Sequence, residues 1–363
     1  MRNILITGGA GFIGSHACLE LLESGYRIYV IDSLENGSFE SISRINKFFK
    51  EKNKISDNKV KFFKADIRNK NNLKIIFEDA ISNNQKIDAV IHFAGLKAVS
   101  ESQENPLKYW EYNVLGSINL FEVMEVYNCK KLVFSSSASV YGEAHISPIK
   151  EDNFLIPSSV YGKTKKTVEE ILVDLHLQKS WKIAILRYFN PVGAHNSGLI
   201  GENPITNKNN LFPLICDVAS NKLQKLFIYG DNWPTKDGTC IRDYLHIEDL
   251  VVGHKIALDL LLNSNHKLIK VNLGTGKGTS VLELIKTFEK VNNIKINYEY
   301  ADKRLGDCGI LFSDCKLAES IINWKASKSI YDICRDGWNW VKNNPNGYTK
   351  DLSKLDSTIY NQL

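Results

Sequence analysis

The chain has 363 residues, 43% of them apolar and 24% charged. These are the proportions of a soluble globular protein, and the length suffices for one large α/β domain or two joined ones. The 46 basic and 41 acidic residues give a formal charge of +5 with no block of five or six like charges, which argues against a nucleic-acid partner.

Taken in chain order, apolar runs at Asn3–Thr7, Arg27–Asp32, Val60–Ala65, Ala89–His92, Lys131–Ser135 and Lys182–Arg187 predict strands. The segments between them, such as Phe12–Glu23, carry apolar residues at helical spacing. Nearly continuous apolar strands alternating with helices predict a doubly wound parallel α/β sheet covered on both faces. A polar insertion, Asn36–Lys59, has Ile42, Ile45 and Phe49 at helical spacing and predicts a surface helix with loops. Beyond residue 188, Gly, Pro and Asn cluster through Pro191–Pro213. Shorter strands (Phe227–Tyr229, Ile269–Leu273) and helices (Asp249–Leu262, Val281–Val291) then predict a smaller C-terminal α/β region. Trp338 and Trp340 read as core, and Asn344–Leu363 as a polar tail. Ile4–Ile6 is too short for the core of a signal peptide, and no run approaches the roughly 18 apolar residues of a membrane span. Neither secretion nor membrane insertion is expected. Seven scattered cysteines and eight histidines show no metal-ligand spacing, so no metal site is expected and the thiols read as reduced fillers of a cytoplasmic chain.

The first predicted strand runs into Thr7-Gly8-Gly9-Ala10-Gly11-Phe12-Ile13-Gly14 and then directly into a helix. Glycines at 8, 11 and 14 let backbone approach a pyrophosphate, whose charge the helix N-terminus stabilises. Asp32, 18 residues beyond Gly14 at the end of the second strand, would accept hydrogen bonds from an adenosine ribose and repel a 2′-phosphate, which favours NAD over NADP. Ser33 follows it. Polar stops after the third and fourth strands, Asp66-Ile67 and Phe93-Ala94-Gly95-Leu96-Lys97, fall at the strand ends where such sheets bind ligands.

The fifth strand leads into Ser135-Ser136-Ser137-Ala138-Ser139, and Tyr161-Gly162-Lys163-Thr164-Lys165 opens a later helix. Residues i and i+4 share a helix face, so Tyr161 and Lys165 are expected to enter one cleft. A free phenol is a weak base at neutral pH, but a nearby ammonium and a cationic nicotinamide ring both favour phenolate. Glycine loop, Asp32, serine run and Tyr-x-x-x-Lys in this order mark the short-chain dehydrogenase/reductase pattern.

Longer blocks narrow the class. Val90–Val99, Phe134–Gly142, Leu186–Ala194 and Asp237–Tyr244 resemble the UDP-galactose 4-epimerase family of extended short-chain dehydrogenases/reductases, and the similarity extends from the first strand to about Tyr348. The resemblance implies NAD as cofactor, a UDP-hexose as substrate, a homodimer that pairs through helices over Pro106–Tyr127 and Gly162–Gln178, and transient oxidation of the sugar at C4. It implies that Tyr161 is the base, that Lys165 holds the nicotinamide ribose, and that Ser137 bridges the sugar oxygen. Asn113 and Tyr188 match positions near the cofactor, and Lys97 matches one facing both cofactor and sugar. Phe189, Asn190, Asn210, Leu211, Phe227, Tyr229, Arg242, Tyr244, Arg304 and Asp307 match contacts to sugar, pyrophosphate or uracil. The implied division is 1–188 for NAD and the catalytic residues, 189–348 mainly for the UDP-sugar, with room for the chain to cross back, and 349–363 as tail.

The related 4,6-dehydratases and decarboxylases carry acidic residues just after this serine or threonine, where the present chain has Ala138 and Ser139, so elimination lacks its acid/base. Leu311 departs from the family, whose residue there bounds the C2 substituent. Partial acceptance of UDP-N-acetylglucosamine is therefore an expectation. The rival readings are a net dehydrogenase, an epimerase for a uronate or N-acetyl sugar, and a non-catalytic NAD-binding scaffold. An intact Ser137/Tyr161/Lys165 set argues against the scaffold.

Overall fold

A computed structural model describes residues 1–51, 60–143, 146–204, 210–304 and 307–348. Seven parallel strands form its central sheet: β1 (Asn3–Thr7), β2 (Arg27–Asp32), β3 (Lys61–Lys64), β4 (Ala89–His92), β5 (Lys131–Ser137), β6 (Lys182–Tyr188) and β7 (Leu268–Leu273). Their spatial order is β3-β2-β1-β4-β5-β6-β7. The order reverses between β1 and β4, so the loops leaving these two strands diverge and open a crevice at the carboxyl edge.

The strands are buried on both faces because successive side chains point to opposite sides. Ile4, Ile6, Val30, Ile91, Val133, Leu186 and Val271 pack against helices α1 (Phe12–Glu23), α2 (Phe39–Glu51) and, from far along the chain, Ile247–Asn263. Leu5, Ile31, Val90, Leu132, Phe134 and Ile185 pack on the other side against Lys70–Ser82, Gly116–Val126 and Val160–Lys179. The strand Leu268–Leu273, grouped by sequence with the smaller region, instead pairs with β6 in register Leu268 to Ile183. Its apolar run could not reveal its neighbour.

A second core joins helices Leu211–Ala219, Val281–Asn292 and Ile330–Asn343 to the paired strands Leu226–Tyr229 and Tyr298–Ala301. Capping boxes at Ser280/Glu283 and Ser329/Asp332 start two of these helices. Trp338 and Trp340 are buried, in agreement with their reading as core.

Three expectations need correction. The helix expected over Pro106–Tyr127 is Pro106–Tyr109, then a π-helical stretch Trp110–Leu115, then Gly116–Val126; a local widening leaves no trace in apolar spacing. The fifth strand continues past Ser135 to Ser137, because its serines pair with β6. Residues 344–348 are no free tail: Tyr348 is buried and its hydroxyl accepts the Gly201 N–H at 3.1 Å. The insertion does form a helix, α2, burying Ile42, Ile45 and Phe49; 52–59 and the tail 349–363 lie outside the described residues.

Candidate active site

On the dinucleotide side, β1 turns through Gly8 (φ +70°) into α1. A Cβ on Gly14 would stand 2.1 Å from the Gly8 carbonyl oxygen, so only glycine lets the helix start fold back on the loop. Gly11 caps α1 without a side-chain bond and the first turn carries no acidic residue, which leaves the N-terminus suited to an anion. Phe12 and Ile13 lie partly buried against the sheet. Asp32 ends β2; its Oδ2 accepts the Ala10 N–H (2.9 Å) and its Oδ1 the Leu34 N–H (2.8 Å). Burial raises its pKa while these two donors oppose the rise. Ser33 beside it is exposed. Burial would also raise Asp66, but the Arg68 guanidinium and N–H outweigh it and hold the carboxyl below its usual range. Ile67 is buried under Gly116.

A chain of hydrogen bonds sets the loop after β4. The Ser117 hydroxyl donates to the Asn113 carbonyl (2.5 Å), so it accepts from His92 Nε2 (2.9 Å), and His92 Nδ1 accepts from Thr7 (2.7 Å). Thr7 in turn accepts the Ala94 N–H at 3.2 Å. Burial first, then the Lys165 charge, lowers His92 to about 3, keeping it neutral. The Asn113 side chain, delivered by the π-helical turn, accepts from Leu96 N–H (2.8 Å) and donates to Leu96 O and Thr164 Oγ1 (both 3.0 Å). Phe93 and Ala94 are half-buried, Gly95 is exposed, and Lys97 reaches Glu202 at 3.1 Å.

Helix Val160–Lys179 begins where the Ser159 hydroxyl accepts the Gly162 N–H. A Cβ on Gly162 would lie 2.5 Å from the Ser139 carbonyl oxygen; its absence brings the helix start against the end of β5. Tyr161, Lys165 and Ser137 are all buried there. Burial raises the Tyr161 pKa, and a hydrogen bond with Ser137 opposes the rise. Lys165 Nζ donates to the Ser135 carbonyl (2.9 Å) and lies 6.0 Å from the centre of the Tyr161 ring. Burial lowers Lys165 to about 8 against the pull of Glu169. Glu169, one turn on, is occupied by a buried two-pronged pair with Arg187 (2.7–3.2 Å) and by the Ser136 hydroxyl. The Tyr188 hydroxyl meets Ser135 Oγ at 2.9 Å, and His254 Nε2 lies 3.3 Å from the same Oγ. Sequence reasoning passes over Ser135, His92 and His254. The place of His92 as last residue of a strand is a signal, but His254 comes from a helix far along the chain and carries none.

On the facing side, Phe189 and Leu311 pack with Ala138 and Tyr141, which sets Leu311 beside the end of β5. Leu311 also pairs with Arg242 across short strands, as Asn190 does with Tyr244. Arg242, Asp307 and Arg304 all lie within electrostatic reach of the Cys240 thiol, whose pKa burial raises. Arg304 pairs with Asp307 (3.1 Å) and stands 4.3 Å over the Tyr229 ring. Phe227 and Tyr229 project from one exposed edge, and Tyr244 is buried. Asn210 caps the helix that Leu211 opens. Phe189 and Leu311 therefore stand at the end of β5, with Arg242 beside Leu311.

Fold and site together define a short-chain dehydrogenase/reductase of the extended kind. Residues 5–337 match the family described as GDP-mannose 4,6 dehydratase. The UDP-glucose 4-epimerase of Bacillus subtilis (strain 168) is 47% identical, over 95% of this chain and 98% of that one. A crystal structure of the Stenotrophomonas maltophila UDP-glucose 4-epimerase, with bound NAD and formylated UDP-arabinopyranose, superposes with a TM-score of 0.89 at 42% identity, covering 95% of this chain and 99% of that one. The Bifidobacterium longum enzyme, in complex with NAD+ and UDP, gives 0.87 at 40% identity over 95% and 100%. The chain belongs to the UDP-glucose 4-epimerase family.

Proposed function

We propose that the chain interconverts UDP-galactose and UDP-glucose at carbon 4 with NAD as its cofactor, and that Tyr161, Lys165 and Ser137 do its proton chemistry. The observation that carries this is the meeting of these three buried side chains at the end of β5, with Ala138 and Ser139 where elimination would need a carboxyl group. The loop fits a dinucleotide, since side chains at 8 or 14 would strike backbone and force the tight turn apart, and Asp32 stands where a ribose would be held. Bound there, NAD would supply a reversible hydride acceptor for C4, so no net oxidant would be consumed. Tyr161 takes the proton of the sugar hydroxyl, Ser137 positions that oxygen, and Lys165 supplies positive charge that favours the phenolate. Lys97, Asn113, Tyr188, Asp66 and Ile67 complete the cofactor side. Arg242 and Arg304 hold the diphosphate, for which permanently charged forked donors are suited; Phe189, Asn190, Asn210, Leu211, Phe227, Tyr229, Tyr244 and Asp307 border sugar and uridine. Binding energy is concentrated on the UDP part, and the hexose is left free to turn. Purified protein given UDP-galactose without added NAD should yield UDP-glucose. Accumulation of a keto sugar with stoichiometric NADH would establish a dehydrogenase instead.

The mid-sized Leu311 beside the end of β5 supports some turnover of UDP-N-acetylglucosamine. A kcat/KM below about a thousandth of that for UDP-galactose would reject it, since a small misfit costs only about 10- to 200-fold. The chain forms a homodimer through Pro106–Val126 and Val160–Lys179, whose Leu107, Leu115, Val126 and Leu177 are exposed. A monomer mass by light scattering would overturn this. All seven cysteines are free thiols, which supports a reducing, cytoplasmic location.

A further inference from the structure

The cofactor reading puts the adenosine beside Asp32, and three segments meet near it: 32–37 after β2, 66–68 after β3, and the helical residues 106–115 with their π-helical turn. Their side chains are joined in one line. Arg68, paired with Asp66 and with Glu111 (2.8 Å), lies 3.6 Å over the centre of the Tyr112 ring. Tyr112 lies close enough to Glu35 that this carboxylate, after burial, raises its pKa. Lys108 lies 3.5 Å from Glu35, 3.1 Å from Glu101 and 5.7 Å from the Tyr112 ring centre. The base of the β2 loop is fixed, because both Asp32 oxygens accept backbone N–H groups of that region. Glu35, three residues on and exposed, is the loop's contact with the far wall.

We propose that Glu35, Tyr112 and Lys108 form a clasp across the adenosine end of the cleft, so that NAD leaves only after the β2 loop parts from the π-helical segment. The inference rests on the cofactor reading above and adds residues that touch neither the sugar nor the reacting atoms. A single exposed ion pair holds little, but a line of groups sharing partners holds more. Its charged links are screened by salt. The clasp therefore sets a salt-sensitive release rate without altering turnover of the loaded enzyme.

The test is exchange of bound NAD for labelled NAD in the holoenzyme, for the parent, Glu35→Gln, Tyr112→Phe and Lys108→Met, with unfolding temperatures confirming intact folding. Glu35→Gln and Tyr112→Phe should release NAD about three- to tenfold faster, the range of a lost exposed contact or two, with kcat at saturating NAD unchanged. Parent exchange should quicken between roughly 50 and 500 mM salt, and Glu35→Gln and Lys108→Met should lose most of that response. Parent-like exchange and salt response in all three variants would overturn the clasp alone. Purified protein that neither carries nor binds NAD would overturn the cofactor reading and the clasp with it.

Discussion

Burial drives the Tyr161 phenol away from the state a base requires, and the Ser137 hydroxyl opposes this. On the proposed mechanism, the charge that makes the phenolate accessible comes from Lys165 and from bound NAD. Replacing Tyr161 by Phe should lower kcat about 10²- to 10⁴-fold, the range for a removed general base, with NAD still bound; near-normal turnover would disprove the role. Lys165 has its own pH signature. Burial sets it to about 8, so it is charged below that pH and neutral above it, and its help to Tyr161 is lost as pH rises. A profile of kcat/KM should fall on the alkaline side with a midpoint near 8, and the limb should vanish in Lys165→Met. A limb that persists unchanged would assign it to another group. The buried Glu169 does not undo this arrangement, because Arg187 takes both of its oxygens.

At the scale of elements, the loop into α1 depends on a contact that a single carbon would block. Gly14→Ala puts a Cβ 2.1 Å from the Gly8 carbonyl oxygen, where backbone must shift. Loss of NAD retention, with the far-UV spectrum kept, is the expected outcome, and NAD bound as in the parent would show that the loop has slack. This loop, Asp32, the serine run and Tyr161/Lys165 were legible because each is a local pattern at the end of a strand or start of a helix. Five of the six strands read from the first half start where the structure starts them, for the same reason: apolar runs end abruptly at polar turns. What was not legible is pairing between distant segments. The return of Leu268–Leu273 to the sheet, the docking of His254 behind Ser135, and the packing of Arg44 5.1 Å over Tyr348 depend on tertiary neighbours that no window of sequence contains. The π-helical turn escaped for a different reason, since it adds a residue to a turn without changing which residues are apolar.

Across the whole molecule, three histidines are sealed inside as neutral groups: His16 on α1, His92 at the end of β4 and His254 on Ile247–Asn263. Burial, the main cause in each case, lowers His16 and His92 to about 3 and His254 to about 4, from an ordinary 6.5. His16 and His254 each spend Nδ1 on a carbonyl in their own helix, Phe12 at 2.7 Å and Leu250 at 2.9 Å. Between pH 6.5 and 4 the unfolded chain therefore binds protons that the folded chain refuses. Stability is retained above the ordinary histidine pKa and falls as pH drops through this window, by on the order of 1.4 kcal/mol per pH unit for each histidine once its unfolded form is protonated. Carboxylates held low, such as Asp336 at about 2, add their loss only below the ordinary carboxylate range, so the histidines act first. Urea unfolding followed at pH 7, 6 and 5 should show the folded state weakening at each step. In His16→Asn, which keeps a donor for the Phe12 carbonyl but has nothing to protonate, the steepest part of that decline should be shallower by about 1.4 kcal/mol per unit. An unaltered slope would mean that His16 takes up its proton in the folded protein, which requires water to reach a ring nitrogen that has no partner among the described residues.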